Sequence, residues 1–200
     1  MPAAIRIIQK EHRQITAVVE GLAHLGREIG SGRTAPDFRL LRAMTDYIDA
    51  YPERLHHPKE DRDLFRLISR HGGEAAAEIA ALEEEHKHSY PALEQLKAAL
   101  DELERGGEGA AKRFAELTAT YADFHWRHMR KEEDTILPLA KRVLDAGDWK
   151  EIDAAFQENV DLASSGDNAR RMRALFREIV NLMPAPRGLG GSAPHRSRRS

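Results

Sequence analysis

Histidines and glutamates interrupt the apolar faces of four predicted helices, at spacings typical of metal ligands. Four histidines lie in these faces, and two of them are followed four residues later by a glutamate: His12, His56 with Glu60, His86, and His128 with Glu132. Burying such groups inside a helical bundle costs free energy unless each has a partner. A metal centre is the simplest common partner for all six groups.

The spacing within each His–Glu pair predicts a centre with two metal ions. Residues four apart share one face of an α-helix and lie roughly 6 Å apart. A histidine and a glutamate at that spacing can reach two metal ions about 3.5–4 Å apart, with the carboxylate bridging them. Mixed imidazole and carboxylate ligation suits iron, manganese or zinc better than magnesium or calcium.

Four long helices are predicted to carry these groups. Apolar residues recur at intervals of three and four, and glycines and prolines mark the ends, which predicts helices over about residues 3–29, 37–70, 74–105 and 109–146. Pro52 and Pro58 predict a kink or a break in the second helix. The short joins favour an all-α, antiparallel up-down-up-down four-helix bundle. At about 1.5 Å per residue, the six groups fall within roughly 10 Å of one level.

The rest of the chain is predicted to be an extension and a tail. The bundle is expected to occupy residues 1–147, and a helical extension residues 148–183, with short helices over 149–159 and 167–183. Residues 184–200 are rich in Pro, Gly, Ser and Arg, a composition typical of disorder.

Composition excludes several classes of function. The formal net charge of −2 leaves no footprint for nucleic acid on the body of the chain. The absence of cysteine excludes disulfides, iron–sulfur clusters and thiolate zinc sites. No apolar stretch approaches about 18 residues, and the N-terminus lacks the features of a signal peptide. A soluble, cytoplasmic protein without a membrane partner is expected.

The ordered set of motifs resembles that of the hemerythrin-like (HHE cation-binding) family, over about residues 5–145. The matching segments are Glu11-His12-Arg13, His56 to Glu60 followed by Leu64-Phe65, His86 after Glu85, and His128 to Glu132 followed by Ile136-Leu137-Pro138. The resemblance implies a non-haem centre of two iron ions with oxo or hydroxo and carboxylate bridges. It also implies binding of dioxygen, nitric oxide or peroxide, or a role in iron handling.

The third helix departs from the family pattern. Oxygen-carrying hemerythrins have two histidines four residues apart there, whereas this chain has His86 and, four residues later, Tyr90. Tyr90 is a candidate ligand as a phenolate, and the alternatives are a hydrogen-bond donor beside the metal or an aromatic core residue. One iron then lacks a nitrogen ligand, which argues against reversible oxygen carriage. The carboxylate of the fourth helix also differs: it is Glu132, four residues after His128, whereas the carriers have an aspartate with one more residue of spacing.

Residues next to the ligands have less specific interpretations. His56, and not His57, has the four-residue spacing to Glu60, so His57 is expected to face solvent or to lie behind a ligand. His125 is expected to line a pocket or to lie beside a ligand. Glu133 belongs to an acidic run that forms a solvated face or orients a ligand histidine.

The sequence is compatible with three functions. The first is a di-iron protein that binds, senses or stores iron, dioxygen or nitric oxide. The second is a redox enzyme that removes peroxide or reduces nitric oxide, with Tyr90 and His125 taking part. The third is a metal-free helical module in which histidines pair with glutamates. A ferritin-like site needs Glu-x-x-His pairs on two helices and two further glutamates, and it is disfavoured because Glu83 and His86 supply one such pair but the fourth helix supplies none.

Overall fold

Every regular element in the described part of the chain is a helix. The computed structural model describes residues 1–164 and 166–182. No helix within these ranges is both long enough and apolar enough to cross a membrane. The all-α prediction is confirmed, and the predicted disordered tail over residues 184–200 lies outside the described residues.

The first half of the chain forms one straight helix and one that changes its hydrogen-bond pattern. Helix α1 spans Ala3–Gly30. The second predicted helix comprises α2 (Phe38–Ile48), a π-helical segment π1 (Asp49–His56), α3 (His57–Lys59), a second π-helical segment π2 (Glu60–Phe65) and α4 (Arg66–Arg70). Pro52 lies inside π1 and Pro58 inside α3. Wider π turns therefore occupy the region where a kink or a break was predicted.

The second half contains five helices and one further π-helical segment. These are α5 (Ala76–Glu104), α6 (Ala110–Lys131), π3 (Glu132–Ile136), α7 (Leu137–Val143), α8 (Ala146–Ser164) and α9 (Gly166–Leu182). Leu144 takes an extended conformation after α7, so the helix predicted to reach residue 146 ends earlier. Helix α8 begins at Ala146 and is longer than the short helix predicted from residue 149.

The close approach of α1 and α6 depends on small residues of α1. A Cβ atom added to Gly26 would lie 2.2 Å from Oγ1 of Thr118, and one added to Gly30 would lie 2.7 Å from Cβ of Ala115. Helix α1 also packs on α2, and α5 packs on α6, α2 and π1. Four long helical rods, formed by α1, by α2 to α4, by α5 and by α6 to α7, thus surround a common interior.

The apolar interior is divided into two clusters with the predicted ligands between them. The first apolar cluster includes residues from all four rods: Ile15, Leu22, Leu41, Ile48, Leu93, Leu100, Phe114 and Tyr121. The second apolar cluster also draws on all four: Ile5, Ile8, Leu64, Phe65, Ile79, Leu82, Ile136 and Leu137. On the first three rods the predicted histidine and glutamate ligands fall, in sequence, between the two sets; on the fourth rod Glu132 does so, and His128 directly precedes Met129 of the first cluster. A polar layer therefore crosses the middle of an otherwise apolar core.

The last two helices pack on the outside of the rods. Helix α8 contacts α1 and π2, and its Ile152 and Phe156 are fully buried in the second apolar cluster. Asp153 accepts a hydrogen bond from the backbone N–H of Ala4 at 2.7 Å, which satisfies a free donor at the start of α1. The buried Lys59 donates to the Ala155 carbonyl and to Glu158. Helix α8 is thereby attached to the segment that carries Glu60.

Candidate metal centre

The π-helical segments begin or end at predicted ligands. His56 is the last residue of π1, Glu60 the first of π2, and Glu132 the first of π3. Single π turns inside α-helices occur frequently at functional sites because they change the direction of neighbouring side chains. The two prolines of the second rod predicted a kink or a break there, but no signal in the sequence predicted π turns in either rod.

The structure brings six of the seven predicted residues together in the polar layer. His12, His56, Glu60, His86, His128 and Glu132 are all buried, and His86 is the most exposed of them at 8%. Their ligand atoms form two groups, each with all atoms within 4.8 Å of one another. The first group, here the His12 position, comprises His12, His56, Glu60 and Glu132. The second group, here the His86 position, comprises Glu60, His86, His128 and Glu132.

Each glutamate presents one oxygen to each position. Oε1 of Glu60 lies 3.3 Å from Nε2 of His56, while Oε2 lies 3.7 Å from Nε2 of His86. Oε2 of Glu132 lies 3.2 Å from Nε2 of His12, while Oε1 lies 3.2 Å from Nε2 of His128. A carboxylate whose two oxygens face different sets of imidazole nitrogens is placed to bridge two cations.

The buried ligand atoms lack other partners, which fits bound cations. Both oxygens of Glu60, both oxygens of Glu132 and Nε2 of His12 are buried without a hydrogen bond. Leaving such groups unpaired costs about 1–3 kcal/mol each, and more when charged. Nε2 of His86 and Nε2 of His128 are 2.9 Å apart, close to the roughly 3.0 Å expected for two imidazoles bound at right angles to one ion at about 2.1 Å. The residues present therefore fit a two-metal centre.

The four ligand histidines on the four rods also use their second ring nitrogen. Nδ1 of each donates a hydrogen bond to a carboxylate on a different rod. Nδ1 of His56 lies 2.7 Å from Glu11, Nδ1 of His86 lies 2.7 Å from Asp61, Nδ1 of His128 lies 2.9 Å from Glu85, and Nδ1 of His12 lies 2.9 Å from Glu133. Such bonds fix the tautomer that directs Nε2 at a metal and make the ring a stronger ligand. Of the two readings of Glu133, the structure matches the one in which it orients a ligand histidine.

The four orienting carboxylates follow a cyclic order. Each is the sequence neighbour of a predicted ligand on its own rod, and each serves the histidine of the next rod. The first rod holds the histidine of the second, the second that of the third, the third that of the fourth, and the fourth that of the first. Adjacency to a ligand was therefore a usable signal in the sequence, although the partner on another rod was not.

The charges around the centre favour cations. Burial lowers the pKa of His86, but the hydrogen bond to Asp61 and the nearby carboxylates of Glu132 and Glu60 outweigh it and raise that pKa to about 10. Burial likewise opposes charge on His128, yet the nearby charge of Glu132 and the hydrogen bond to Glu85 raise its pKa to about 9. His12 has a pKa well above the ordinary value for the same reason, despite burial. Carboxylates that hold protons on buried imidazoles this strongly create a negative potential that a metal ion can replace.

Tyr90 does not join the cluster. Its side chain is 40% exposed, and the Arg54 guanidinium lies over its ring at 5.8 Å from the centroid. The fully buried Ser89 faces the interior one turn after His86. Position 89, three residues after His86, thus takes the inward place that the prediction gave to position 90.

His57 lies beside the His86 position, so the expectation that it faces solvent is wrong, whereas a place behind a ligand is compatible with its burial. It is 4% exposed, and its ring stacks on that of His86 with centroids 4.3 Å apart. Its ring nitrogen lies within 4.8 Å of those of His86 and His128. Burial, with His86 and His128 nearby, lowers the pKa of His57 well below its ordinary value, so the ring is neutral and has a free lone pair.

A second polar group lies beside His57. His125 is buried and stacks against the His57 ring at 5.8 Å, and its Nε2 lies 3.4 Å from Oγ of Ser89. Oε1 of Glu53 accepts hydrogen bonds from Ser89 and from Tyr121. His125 is absent from the groups at both positions, and its ring lies 6.5 Å from that of His128, which matches the expectation that it lies beside a ligand.

A surface cavity borders the centre at His12. This cavity of about 320 Å³ between α1 and α6 has His12, Trp126, Met129 and Glu133 in its wall. It lies on the side of the His12 position where Nδ1 of His12 donates to Glu133.

The comparison with known families agrees with this geometry. The sequence profile of the hemerythrin HHE cation binding domain matches residues 3–140. The chain belongs to the hemerythrin HHE family. The matched region contains the four rods except for the last three residues of α7, and it contains every residue of both positions, so the resemblance seen in the sequence is confirmed. No curated protein matches the chain.

Proposed function

We propose that this hemerythrin HHE protein binds two iron ions, one at the His12 position and one at the His86 position. The observation that carries the proposal is the placement of Glu60 and Glu132, each with one oxygen toward each position. Two bridging carboxylates with terminal imidazoles suit iron, whereas magnesium and calcium prefer all-oxygen sites.

His57 supplies the nitrogen ligand that Tyr90 does not. With His57 included, the His86 position has three imidazoles and the His12 position has two, and both share the two carboxylates. The replacement comes from the second rod and not from the third. An oxo or hydroxo bridge between the irons completes the proposed centre.

The protein's own groups hold, orient and shield the centre. Glu11, Asp61, Glu85 and Glu133 fix the ring orientation of four ligands through Nδ1. The two apolar clusters exclude bulk water above and below the layer, and the cavity at His12 admits a small molecule. When bound, iron supplies ligand binding and redox chemistry toward dioxygen, nitric oxide or peroxide. We infer that binding, sensing or handling of one of these small ligands, or of iron itself, is the function.

The rods are proposed to run alternately up and down. Along the first and third rods the second apolar cluster precedes the ligands and the first cluster follows them. Along the second and fourth rods this order is reversed. The alternation supports an antiparallel arrangement over residues 1–147, with 148–183 as an added helical unit. A cytoplasmic location without nucleic-acid or membrane partners also belongs to the proposal.

Metal content and an optical spectrum test the function directly. Protein reconstituted with ferrous iron and then desalted is expected to retain two irons per chain and to develop oxo-to-iron charge-transfer bands on exposure to air. Protein without bound metal under these conditions would support the metal-free structural alternative. Retention of zinc or manganese in preference to iron would contradict the iron assignment.

A further inference from the structure

Tyr51 is connected to a proposed iron ligand by two consecutive hydrogen bonds. Its hydroxyl donates to Oε1 of Glu11 at 2.8 Å, and Oε2 of the same carboxylate accepts from Nδ1 of His56 at 2.7 Å. Glu11 is 1% exposed, so the link contains no bulk water. The phenol is therefore coupled to the His12 position through one buried carboxylate.

A second phenol extends this link toward the outside of the bundle. The rings of Tyr47 and Tyr51 stack with centroids 5.6 Å apart and an interplanar angle of 14°. Both line a cavity of about 720 Å³ between the second rod and helices α8 and α9, with Leu55, Met172 and Leu175 in its wall. A path of aromatic and carboxylate groups thus runs from the metal centre to a cavity large enough for a small organic molecule.

The remaining two tyrosines have no such connection in the described structure. Tyr121 donates to Oε1 of Glu53 at 3.1 Å, but Oε2 of Glu53 lies 3.7 Å from Nδ1 of His57, which is too far for a hydrogen bond. Tyr90 is exposed beneath Arg54. The chain contains four tyrosines in all, so Tyr51 is distinguished from three natural controls.

We propose that Tyr51 donates one electron to the metal centre when peroxide oxidises it, and that Glu11 takes the phenolic proton. This inference rests on the proposed di-iron function. Burial, together with the nearby Glu11 carboxylate, raises the pKa of the Tyr51 phenol, so the phenol does not ionise in advance. The hydrogen bond to Oε1 of Glu11, at 2.8 Å, supplies the acceptor for the phenolic proton when Tyr51 loses an electron.

The step balances with hydrogen peroxide as the oxidant. Peroxide takes up two electrons and two protons to give two water molecules. Tyr51 supplies one electron and the metal centre supplies the other, while both protons come from solvent. The Tyr51 O–H bond breaks, and its proton forms a new O–H bond with Oε1 of Glu11. A small phenolic or enediol reductant in the cavity beside Tyr51 then returns one electron to the Tyr51 radical and releases its own hydroxyl proton to solvent, while the Tyr51 proton moves back from Glu11.

Freeze-quench electron paramagnetic resonance tests the proposal. Iron-loaded full-length protein is mixed with hydrogen peroxide and frozen within milliseconds to seconds, and iron content is measured on the same sample. An organic-radical signal is expected, and protein grown with ring-deuterated tyrosine is expected to give a narrower signal. Tyr51→Phe is expected to lose the signal while it retains two irons per chain.

Matched variants keep the test decisive even if Tyr51→Phe folds poorly. A triple variant with Tyr47→Phe, Tyr90→Phe and Tyr121→Phe leaves Tyr51 as the only tyrosine and is expected to retain the signal. Loss of the signal in this variant with iron bound, an undiminished signal in iron-loaded Tyr51→Phe, or no narrowing on deuteration would each overturn the assignment. Iron bound without any tyrosine signal overturns the inference alone, whereas absence of bound iron overturns the proposed function with it.

Discussion

Removal of both bridging glutamates gives the sharpest test of the metal centre. In the double variant Glu60→Ala, Glu132→Ala, each position loses two carboxylate oxygens and keeps only imidazoles. We expect the variant to retain no di-metal centre, because both positions lose ligands at once. Loss of a terminal ligand, as in His128→Ala, affects the His86 position directly and leaves the His12 position with its full set of ligands.

The size of the effect follows from the number of ligands lost. Removing a group that merely orients a ligand weakens metal binding about 10–100-fold. A direct ligand contributes at least as much, so the loss of two from each position predicts binding weaker by at least about 10²–10⁴-fold at each. After reconstitution with ferrous iron and gel filtration, the expected iron content falls from two per chain to near zero.

Two control variants separate this loss from general damage. Glu133→Ala removes only the partner of Nδ1 of His12, so it should weaken the His12 position about 10–100-fold and still load two irons at saturation. Glu84→Ala alters an exposed residue next to Glu85 and should leave the iron content and the iron affinity unchanged. An iron content near two per chain in the double variant would refute the bridging role of both glutamates.

Four further outcomes are expected. Iron at 100-fold over its dissociation constant should stabilise the fold by about 2.7 kcal/mol for each filled site and raise the melting temperature by about 5–11 °C for each site. Calorimetry should find this shift abolished in the double glutamate variant. His57→Ala should lower the iron content from two toward one per chain, whereas the exposed His88→Ala should keep two. Tyr90→Phe should leave both iron content and the visible spectrum unchanged; loss of a charge-transfer band would return Tyr90 to the ligand set. Gly26→Ala should reduce the free energy of unfolding in urea by about 1–3 kcal/mol, because the added Cβ atom collides with Thr118. As a control, Gly73→Ala adds a Cβ atom with no neighbouring atom within 4 Å, so its free energy of unfolding should stay within about 0.5 kcal/mol of the parent.

The sequence predicts well at which level of the bundle the ligands lie and that they face its interior, and the reason is physical. His12 continues a series of apolar positions in α1, where Ile8 and Ile15 on either side are fully buried. A residue flanked in this way has to face the interior whatever its polarity, because its neighbours fix the rotation of the helix. The same reasoning places His86 and the two His–Glu pairs, and the structure brings all of them into one layer.

Local hydrogen-bond patterns are harder to predict from the sequence. A regular α-helix separates consecutive side chains by about 100°, so the sequence suggested that only one of His56 and His57 could face inward. The second rod instead contains π turns on either side of α3, and both rings reach the centre from different sides. Whether a turn closes to the fourth or the fifth residue depends on packing and on ligands from other rods, which local propensity does not encode.

Tyr90 shows the limit of transferring a family spacing to a new chain. The family pattern of two histidines four apart gave position 90 an inward direction. In α5 the inward position after His86 is taken by Ser89, and the guanidinium of Arg54 on the second rod covers the Tyr90 ring at the surface. A spacing of four residues after His86 was compatible with a Tyr90 side chain on the inner or on the outer face of α5. The contact between Tyr90 and Arg54, which lie on different rods, decides between the two faces.

The cyclic order of the orienting carboxylates explains how four rods assemble one centre. Each rod supplies a ligand and also holds the ligand of the next rod, so no rod can slide by one turn without breaking two of the four bonds. A shift of the third rod, for example, separates His86 from Asp61 and Glu85 from His128 together. Buried polar groups that can be satisfied in only one register disfavour every other register by the cost of their unpaired atoms. The polar layer therefore costs free energy in the metal-free protein and, for the same reason, specifies the alignment in which two metal ions can bind.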